Sequence, residues 1–466
     1  MAKHVVLIMA DQQRRDTIGA YGSRYGATPN LDAFAEEATV FDRAYCACPL
    51  CVPTRTAMYT GQYPHRNGVV VNGWTPIERP YAQLRPEVPT LYEHLDDAGY
   101  HLTHVGVDHC RSIPPINERV PGMSYSGNSE YDRYLAEQGL EDPDTSWTKA
   151  PSCDFDAGRP IMFPYTTSRT GTWPHEAEHF KDLFWTREAE RIIETLDPNR
   201  PQFIETLFWA PHVPLVAPEP YASMYRPEDI ELPETCGVWC EGQPATLCHH
   251  LPGQFGAMRQ RDEWREPWAV YLGLCRLADD AIGRVISALK RRGIWDDALV
   301  IFTLDHGEMM GSHACFQKMC MYEEATHIPL MIKPAGGKTR DRVSGLASPV
   351  DIGPTVCDAL GIEPMADGDG VSLGPLLDGA AESVREDLFI EFNGNSGRGY
   401  ESRAIVRDRW KYTYTRGDRD ELYDLMDDPG ETVNRAEDSD CAETRADLRA
   451  RLADMMRANG DRLVIA

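Results

Sequence analysis

Short, nearly unbroken apolar runs punctuate the chain at Val5–Ala10 (VVLIMA), Gln202–Trp209 (QFIETLFW), Ala298–Leu304 (ALVIFTL) and Ile328–Lys333 (IPLMIK). Runs of this length without polar alternation predict strands covered on both faces, as in a largely parallel sheet. A longer period lies between them. Leu31, Phe34, Ala35 and Ala38 repeat at i, i+3, i+4 and i+7 behind Asn30, whose side chain suits an N-cap. Val88, Leu91, Tyr92 and Leu95 repeat the pattern ahead of Gly99, which suits a helix C-terminus. Glu266–Arg292 reads as one long helix stopped by Gly293, directly before the strand at Ala298. Strands alternating with helices predict an α/β fold.

Two stretches break the alternation. Residues 111–173 and 231–262 are rich in Pro, Gly, acidic residues and Cys and have no clear period, so they read as insertions. Binding or lid loops and plain surface excursions share that length. Their Trp147, Trp173 and Trp239 are candidates for stacking on a substrate ring or for packing. Beyond about Asp378 the pattern changes: Arg403–Arg416 (RAIVRDRWKYTYTR) reads as an antiparallel hairpin and Glu443–Asn459 as a terminal helix. The expected organisation is a main α/β domain over 1–378 and a smaller α+β subdomain over 379–466.

Composition narrows the function. The 466 residues are 42% hydrophobic and 26% charged, the balance of a globular chain with a substantial core. With 47 Lys and Arg against 73 Asp and Glu, the net charge of -26 repels nucleic acid and anionic membranes, so neither is an expected partner. An anionic substrate would need a local concentration of positive charge. The apolar run at the N-terminus is too short for a signal peptide and no later stretch approaches a membrane span, which predicts a cytoplasmic protein. Thirteen irregularly spaced cysteines suit free thiols better than a disulfide framework.

Two polar pairs stand directly after predicted strands, Asp11–Gln12 and Asp305–His306. Carboxyl ends of strands form the ligand crevice of open α/β sheets, so the pairs are expected to converge. Carboxylates, an amide oxygen and an imidazole make a hard, oxygen-dominated divalent site. Asp also ends strands for turn reasons, but two such pairs together favour the metal. Cys51, in CPLCVPTRTAMYTGQ, admits three readings from residue type alone: a buried bystander, a nucleophile paired with His, or part of a zinc cluster with Cys46 and Cys48. No second paired cluster follows, which counts against zinc. Cys236, Cys240, Cys248, His249 and His250 have loosely metal-like spacing and read as irregular loop residues.

The stretch CVPTRTAMYTGQYPHRNGV resembles the signature of the type I, formylglycine-dependent sulfatases of the alkaline phosphatase superfamily, in which Cys-x-Pro-x-Arg directs oxidation of the cysteine. DQQ after the first strand and TLDHGEMMGSHACFQKMCMYEEATHIPLMIK resemble that family's two metal segments. PHVPL (Pro211–Leu215), DIGPTVCDALGI (Asp351–Ile362) and ELYDLMDDPGETVN (Glu421–Asn434) stand in the family's order, so the resemblance spans nearly the whole chain. It implies an alkaline phosphatase-like fold and a Cys51 matured by a formylglycine-generating enzyme to 3-oxoalanine (formylglycine), held as its hydrate. Asp11, Gln12, Asp305, His306 and modified Cys51 would hold one divalent ion, Ca2+ or Mn2+ with Mg2+ open. Arg55 would stabilise the modified side chain, and Lys318 would neutralise the transferred group. His212 would protonate the leaving oxygen and His109 would assist the hydrate. Asn72 matches a pocket residue of the related phosphonate monoester hydrolases, though an Asn before Gly73 is as easily a turn former. A homo-oligomer is expected from the resemblance alone.

The departures bear on substrate. Gly106–His109 (GVDH) keeps the family's His but has Val107 where many sulfatases carry a second anion-binding Lys, and Gln12 stands where many carry Asp. Phosphonate monoester hydrolases share Asp-Gln and lack that Lys, but they lack the His as well. Retained His109 favours a sulfate monoester; a phosphonate monoester or phosphodiester is the alternative. A two-metal phosphatase would need a second ligand set, and a non-catalytic binding protein would leave Cys51 unmodified.

Overall fold

All four apolar runs become strands of one eight-stranded sheet in a computed structural model, which describes residues 1–73, 80–156, 159–395 and 398–465. Across the sheet the strands run Arg342–Ala347, Thr39–Tyr45, His327–Lys333, Ala298–Leu304, His4–Asp11, Gln202–Pro211, His101–Gly106 and Ser124–Ser126. Every neighbouring pair is parallel except the two made by His327–Lys333, which runs against both its neighbours. The other seven therefore turn their carboxyl ends to one edge. Burial explains the unbroken runs: every residue of His4–Asp11 and of Ala298–Leu304 is buried, and the long helix Arg265–Arg292 packs along Gln202–Pro211.

Helix boundaries follow caps rather than apolar period. The first helix is Pro29–Ala35, so Asn30 lies inside it and not at the N-cap. Its backbone N–H and its side-chain amide both donate to Asp279 Oδ2, at 2.9 and 2.8 Å, and Leu31 N donates to Asp279 Oδ1 at 2.8 Å. A carboxylate of the long helix thus satisfies donors that a local side chain was expected to take. The helix Leu91–Asp97 begins after Val88, because Thr90 and Glu93 form a reciprocal cap. Gly99 and Gly293 adopt φ of 86° and 75° at the predicted helix ends.

Residues 111–173 are more ordered than their composition suggests. They supply the edge strand Ser124–Ser126, the helix Asn128–Glu137 and a hairpin of Lys149–Asp156 with Arg159–Thr166. Residues 231–262 form mainly turns and short helices at Ala245–His249 and Leu251–Gly256. The C-terminal part builds a separate antiparallel sheet, Asp387–Asn395, Arg398–Arg407, Trp410–Thr415 and Glu421–Asp424, with the helix Ala442–Ala458 against it. Polar bonds tie this sheet to the segment after Leu304: Lys411 Nζ meets Glu323 at 2.8 Å, and Tyr400 OH donates to Met319 O at 3.0 Å. No helix of the described residues is long and apolar enough to cross a membrane.

Candidate active site

Five parallel strands deliver the predicted side chains to one point. Asp11 ends His4–Asp11, Asp305 and His306 follow Leu304, and His212 follows Pro211. His109 lies three residues past Gly106, which has φ of 122° and no room for a Cβ, since one would lie 1.9 Å from the Leu207 carbonyl oxygen. Cys51 comes from the far side of the sheet, where the chain leaving Thr39–Tyr45 enters the helix Cys51–Thr60. All ten residues of that helix are buried and it stops at Gly61, φ 66°. Leu50 offers its N-terminus no side-chain cap; Asn72 Oδ1 accepts from Val52 N at 3.1 Å instead. The side-chain oxygen of Asn72 thus caps the helix that carries Cys51.

At the centre, Cys51 Sγ lies 3.0 Å from His306 Nε2 and 3.9 Å from Asp11 Oδ1. Arg55 crosses beneath them, its Nη2 2.9 Å from Asp11 Oδ2 and its Nε 3.0 Å from Asp305 Oδ2, with all three side chains fully buried. His109 Nδ1 is 3.6 Å and His212 Nε2 4.0 Å from the Asp11 carboxylate. Lys318, 2% exposed, reaches in from the loop after His306, donating to Gln12 Oε1 and standing 2.9 Å from His212 Nε2. Gln12 donates from its side-chain nitrogen to Glu308. Asp11, Gln12, Cys51, Arg55, His109, His212, Asp305, His306 and Lys318 thus gather around one largely buried point, with Asn72 on the Cys51 helix beside it.

The tautomers follow from the partners. A lysine ammonium only donates, so His212 Nε2 accepts and its Nδ1–H donates to the Val213 carbonyl at 2.6 Å. His306 Nδ1 likewise donates to Gly307 O at 3.0 Å, which turns the Nε2 lone pair towards Cys51 and Asp11. Burial keeps these rings neutral: it pushes His306 down to about 3, and with Lys318 nearby it holds His212 well below the usual imidazole range. Burial and then Arg55 do the same to His109. Burial, with Asp305 adding to it, pushes the Asp11 carboxyl up to about 7, whereas at Asp305 the burial is outweighed by His306, Arg55 and Lys318, which hold it below the carboxylate range. Burial and Asp11 push the Cys51 thiol up, the opposite of what a reactive thiolate requires.

These residues form a candidate metal site. One ligand atom each from Asp11, Cys51, Asp305 and His306 lies within 4.8 Å of the others. The ring nitrogen of His306 that faces away is bonded to a carbonyl, as metal-bound imidazoles are. Arg55 Nη1 is buried with no partner among the described residues, so the centre still has an unmet donor for an oxygen.

Other candidates separate from this point. Cys236 contacts the Met310 carbonyl, Cys248 is exposed, and His250 is buried between the rings of Phe392 and Tyr400, so their spacing gathers no metal cluster among the described residues. Trp173 packs in the core against Phe180, and Trp147 and Trp239 are partly exposed. Sequence reasoning missed two buried acids. Glu308 braces Gln12, and Asp182 Oδ1 accepts from Trp209 N and Ala210 N, at 2.6 and 3.0 Å, just before His212. Glu308 could be found from its place directly after Asp305-His306-Gly307; Asp182, in an ordinary helix, carries no signal.

Comparison with known proteins agrees with this geometry. The family model described as "Sulfatase" matches residues 3–362, and that described as "N-sulphoglucosamine sulphohydrolase, C-terminal" matches 311–458. A multifunctional alkaline phosphatase superfamily protein of Trinickia caryophylli is 29% identical over 94% of this chain and 91% of its own. A choline-sulfatase of Rhizobium meliloti is 26% identical, covering 98% and 87% respectively. The solved phosphonate monoester hydrolase of Agrobacterium radiobacter superposes with a TM-score of 0.79 at 26% identity, over 98% of this chain and 96% of that one. With its alkaline phosphatase-like sheet, its convergent acidic and imidazole site and a family match over most of its length, the chain belongs to the sulfatase family and is a sulfuric ester hydrolase.

Proposed function

We propose that this protein hydrolyses a small-molecule sulfate monoester by sulfur–oxygen cleavage, with Cys51 matured to formylglycine by a formylglycine-generating enzyme. One divalent ion would be held by Asp11, Gln12, Asp305, His306 and the modified Cys51. Residues 1–378 would carry the chemistry and 379–466 would form the subdomain that backs the Lys318 loop. The observation that carries the reading is the placement of Cys51 at the head of a buried helix, against His306 and Asp11, with Arg55 of the same helix joined to both carboxylates.

Hydrated formylglycine would supply an oxygen nucleophile and the ion would supply Lewis acidity. The chain's own residues do the rest. Arg55 fixes the two carboxylates and keeps one donor for the modified side chain, a task that suits its rigid fork. Lys318, buried yet kept charged by the Asp11 and Asp305 carboxylates around it, neutralises the oxygens of the transferred group. His212 is neutral with Nε2 exposed to Lys318; an anion arriving between them raises its proton affinity and equips it to protonate the leaving oxygen. His109, beside the Asp11 carboxylate, accepts or holds a proton of the hydrate. The imidazole of His306 mildly favours Mn2+ over harder ions.

A phosphonate monoester is the second reading. Buried Val107 leaves Lys318 as the lysine of the cluster, and one cation suits a singly charged ester of either kind. Hydrolysis of an aryl sulfate and an aryl phosphonate monoester by one preparation separates them. The proposal predicts kcat/KM for the sulfate higher by about tenfold or more; the reverse order assigns the phosphonate.

A further inference from the structure

Gln12 is held in an unusual way. Its φ of 62° is left-handed, a conformation costly for a residue with a side chain, and four bonds hold it there. Its N–H donates to Asp305 Oδ1 at 3.3 Å and its carbonyl accepts from Tyr271 OH at 2.7 Å. Its side-chain oxygen accepts from Lys318, and its side-chain nitrogen donates to Glu308 Oε2. Glu308 is itself fully buried, and its other oxygen accepts from Met310 N, at 3.0 Å, and from Gln317 N.

The amide has two orientations, and both ends select the same one. Lys318 can only donate, so it must meet the oxygen; the Glu308 carboxylate can only accept, so it must meet the nitrogen. Glu308 thus aims the Gln12 oxygen at the centre. By gripping Gln317 it also fixes the backbone directly before Lys318. A carboxylate at position 12 would instead put an acceptor against an acceptor, two like charges in a buried site.

We propose that Glu308 is a positioning residue matched to Gln12: together they present one neutral oxygen to the divalent ion and set the Lys318 loop, so that residue 308 decides whether position 12 works as an amide or an acid. This rests on the single-ion site proposed above. Glu308→Gln should set donor against donor: the introduced amide, its oxygen taken by Met310 N and Gln317 N, turns its nitrogen to the Gln12 nitrogen, so that Gln12 either loses this partner or flips its oxygen away from Lys318. Adding Gln12→Asp to that variant should restore a unique arrangement: the introduced amide at 308 accepts from Met310 N and Gln317 N with its oxygen and donates to the introduced acid with its nitrogen.

The test is divalent-ion affinity of the purified full-length protein, measured by titrating Mn2+ into chelator-stripped samples by calorimetry, with the thermal midpoint of the stripped protein alongside. Glu308→Gln is expected to weaken binding about tenfold or more, and the double variant Gln12→Asp/Glu308→Gln to return to within about threefold of wild type. Gln12→Asp alone, which leaves Glu308 and its backbone anchors intact, is expected to bind more weakly than the double variant and keeps the test decisive should Glu308→Gln not fold. Effects that simply multiply in the double variant, or Gln12→Asp binding as tightly as the double variant, overturn the pairing. Wild-type protein that takes up no Mn2+, Ca2+ or Mg2+ overturns the ion site itself, and the pairing with it.

Discussion

Replacing Arg55 by Met removes the cation that holds the two central carboxylates while keeping most of the side chain's volume. Arg55, Asp11 and Asp305 have no exposed side-chain surface, and the guanidinium makes one bond to each acid, at 2.9 and 3.0 Å. Removing one partner of a buried ion pair costs about 3–5 kcal/mol, because the charge left behind is uncompensated. Asp305 loses its partner outright, while Asp11, already raised to about 7, can take up a proton, so about 3–5 kcal/mol is expected in the presence of EDTA. A bound divalent ion supplies the missing charge, so saturating Mn2+ or Ca2+ should recover more than about half of the loss by binding only the folded state. Urea unfolding followed by tryptophan fluorescence, with and without the ion, measures both quantities. A variant within about 1 kcal/mol of wild type in EDTA, or a loss indifferent to the ion, would refute the view that Arg55 balances the charge of the acid pair Asp11 and Asp305.

Glu421 is buried at the start of the strand Glu421–Asp424, where burial pushes it up to about 7 against the donors Tyr423 and Tyr322. An acid raised from 4.5 binds its proton more tightly when folded, so its contribution to stability falls as pH rises from about 4.5 to about 7; Glu421→Gln should therefore raise the thermal midpoint more at pH 8 than at pH 5, and a pH-independent shift would count against it. His250 behaves in the opposite sense: burial pushes it down to about 4 from 6.5, so stability is complete above 6.5 and declines as pH falls towards 4. His250→Phe, matched to its aromatic surroundings, should flatten the midpoint over that interval, and an unchanged slope would contradict the assignment. Asp279→Ala removes the acceptor of three donors at the start of Pro29–Ala35 and should cost about 2 kcal/mol in urea unfolding without changing ion affinity.

What was legible in the sequence was whatever one segment determines by itself. Val5–Ala10 and Ala298–Leu304 announce buried strands because both faces are covered, and Asp11 and Asp305 announce a site because each stands at a strand's carboxyl end. Thr39–Tyr45 and His101–Gly106 were not legible as strands, since Asp42, Arg43, His101 and His104 interrupt them. Partners distant in sequence explain such residues. His104 and Tyr59 both bond Glu205, itself an acid in an apolar strand, as does Tyr92, so the run QFIETLFW hides a polar hub that only the fold satisfies. The same holds at the first helix, where Asp279 takes over the cap from 249 residues away, and at Asn72, whose value to the Cys51 helix lies in a bond across 20 residues. Antiparallel His327–Lys333 reads like its parallel neighbours because burial sets its composition and strand direction does not.

Peptide mass spectrometry across Ala47–Arg55, paired with aryl sulfate hydrolysis by the same preparations, tests most directly whether the nucleophile comes from Cys51. Cys51 is expected to carry the mass loss of aldehyde formation, and specific activity to rise in proportion to the modified fraction across preparations made with and without a formylglycine-generating enzyme. Fully active protein whose Cys51 is an unmodified thiol would contradict it.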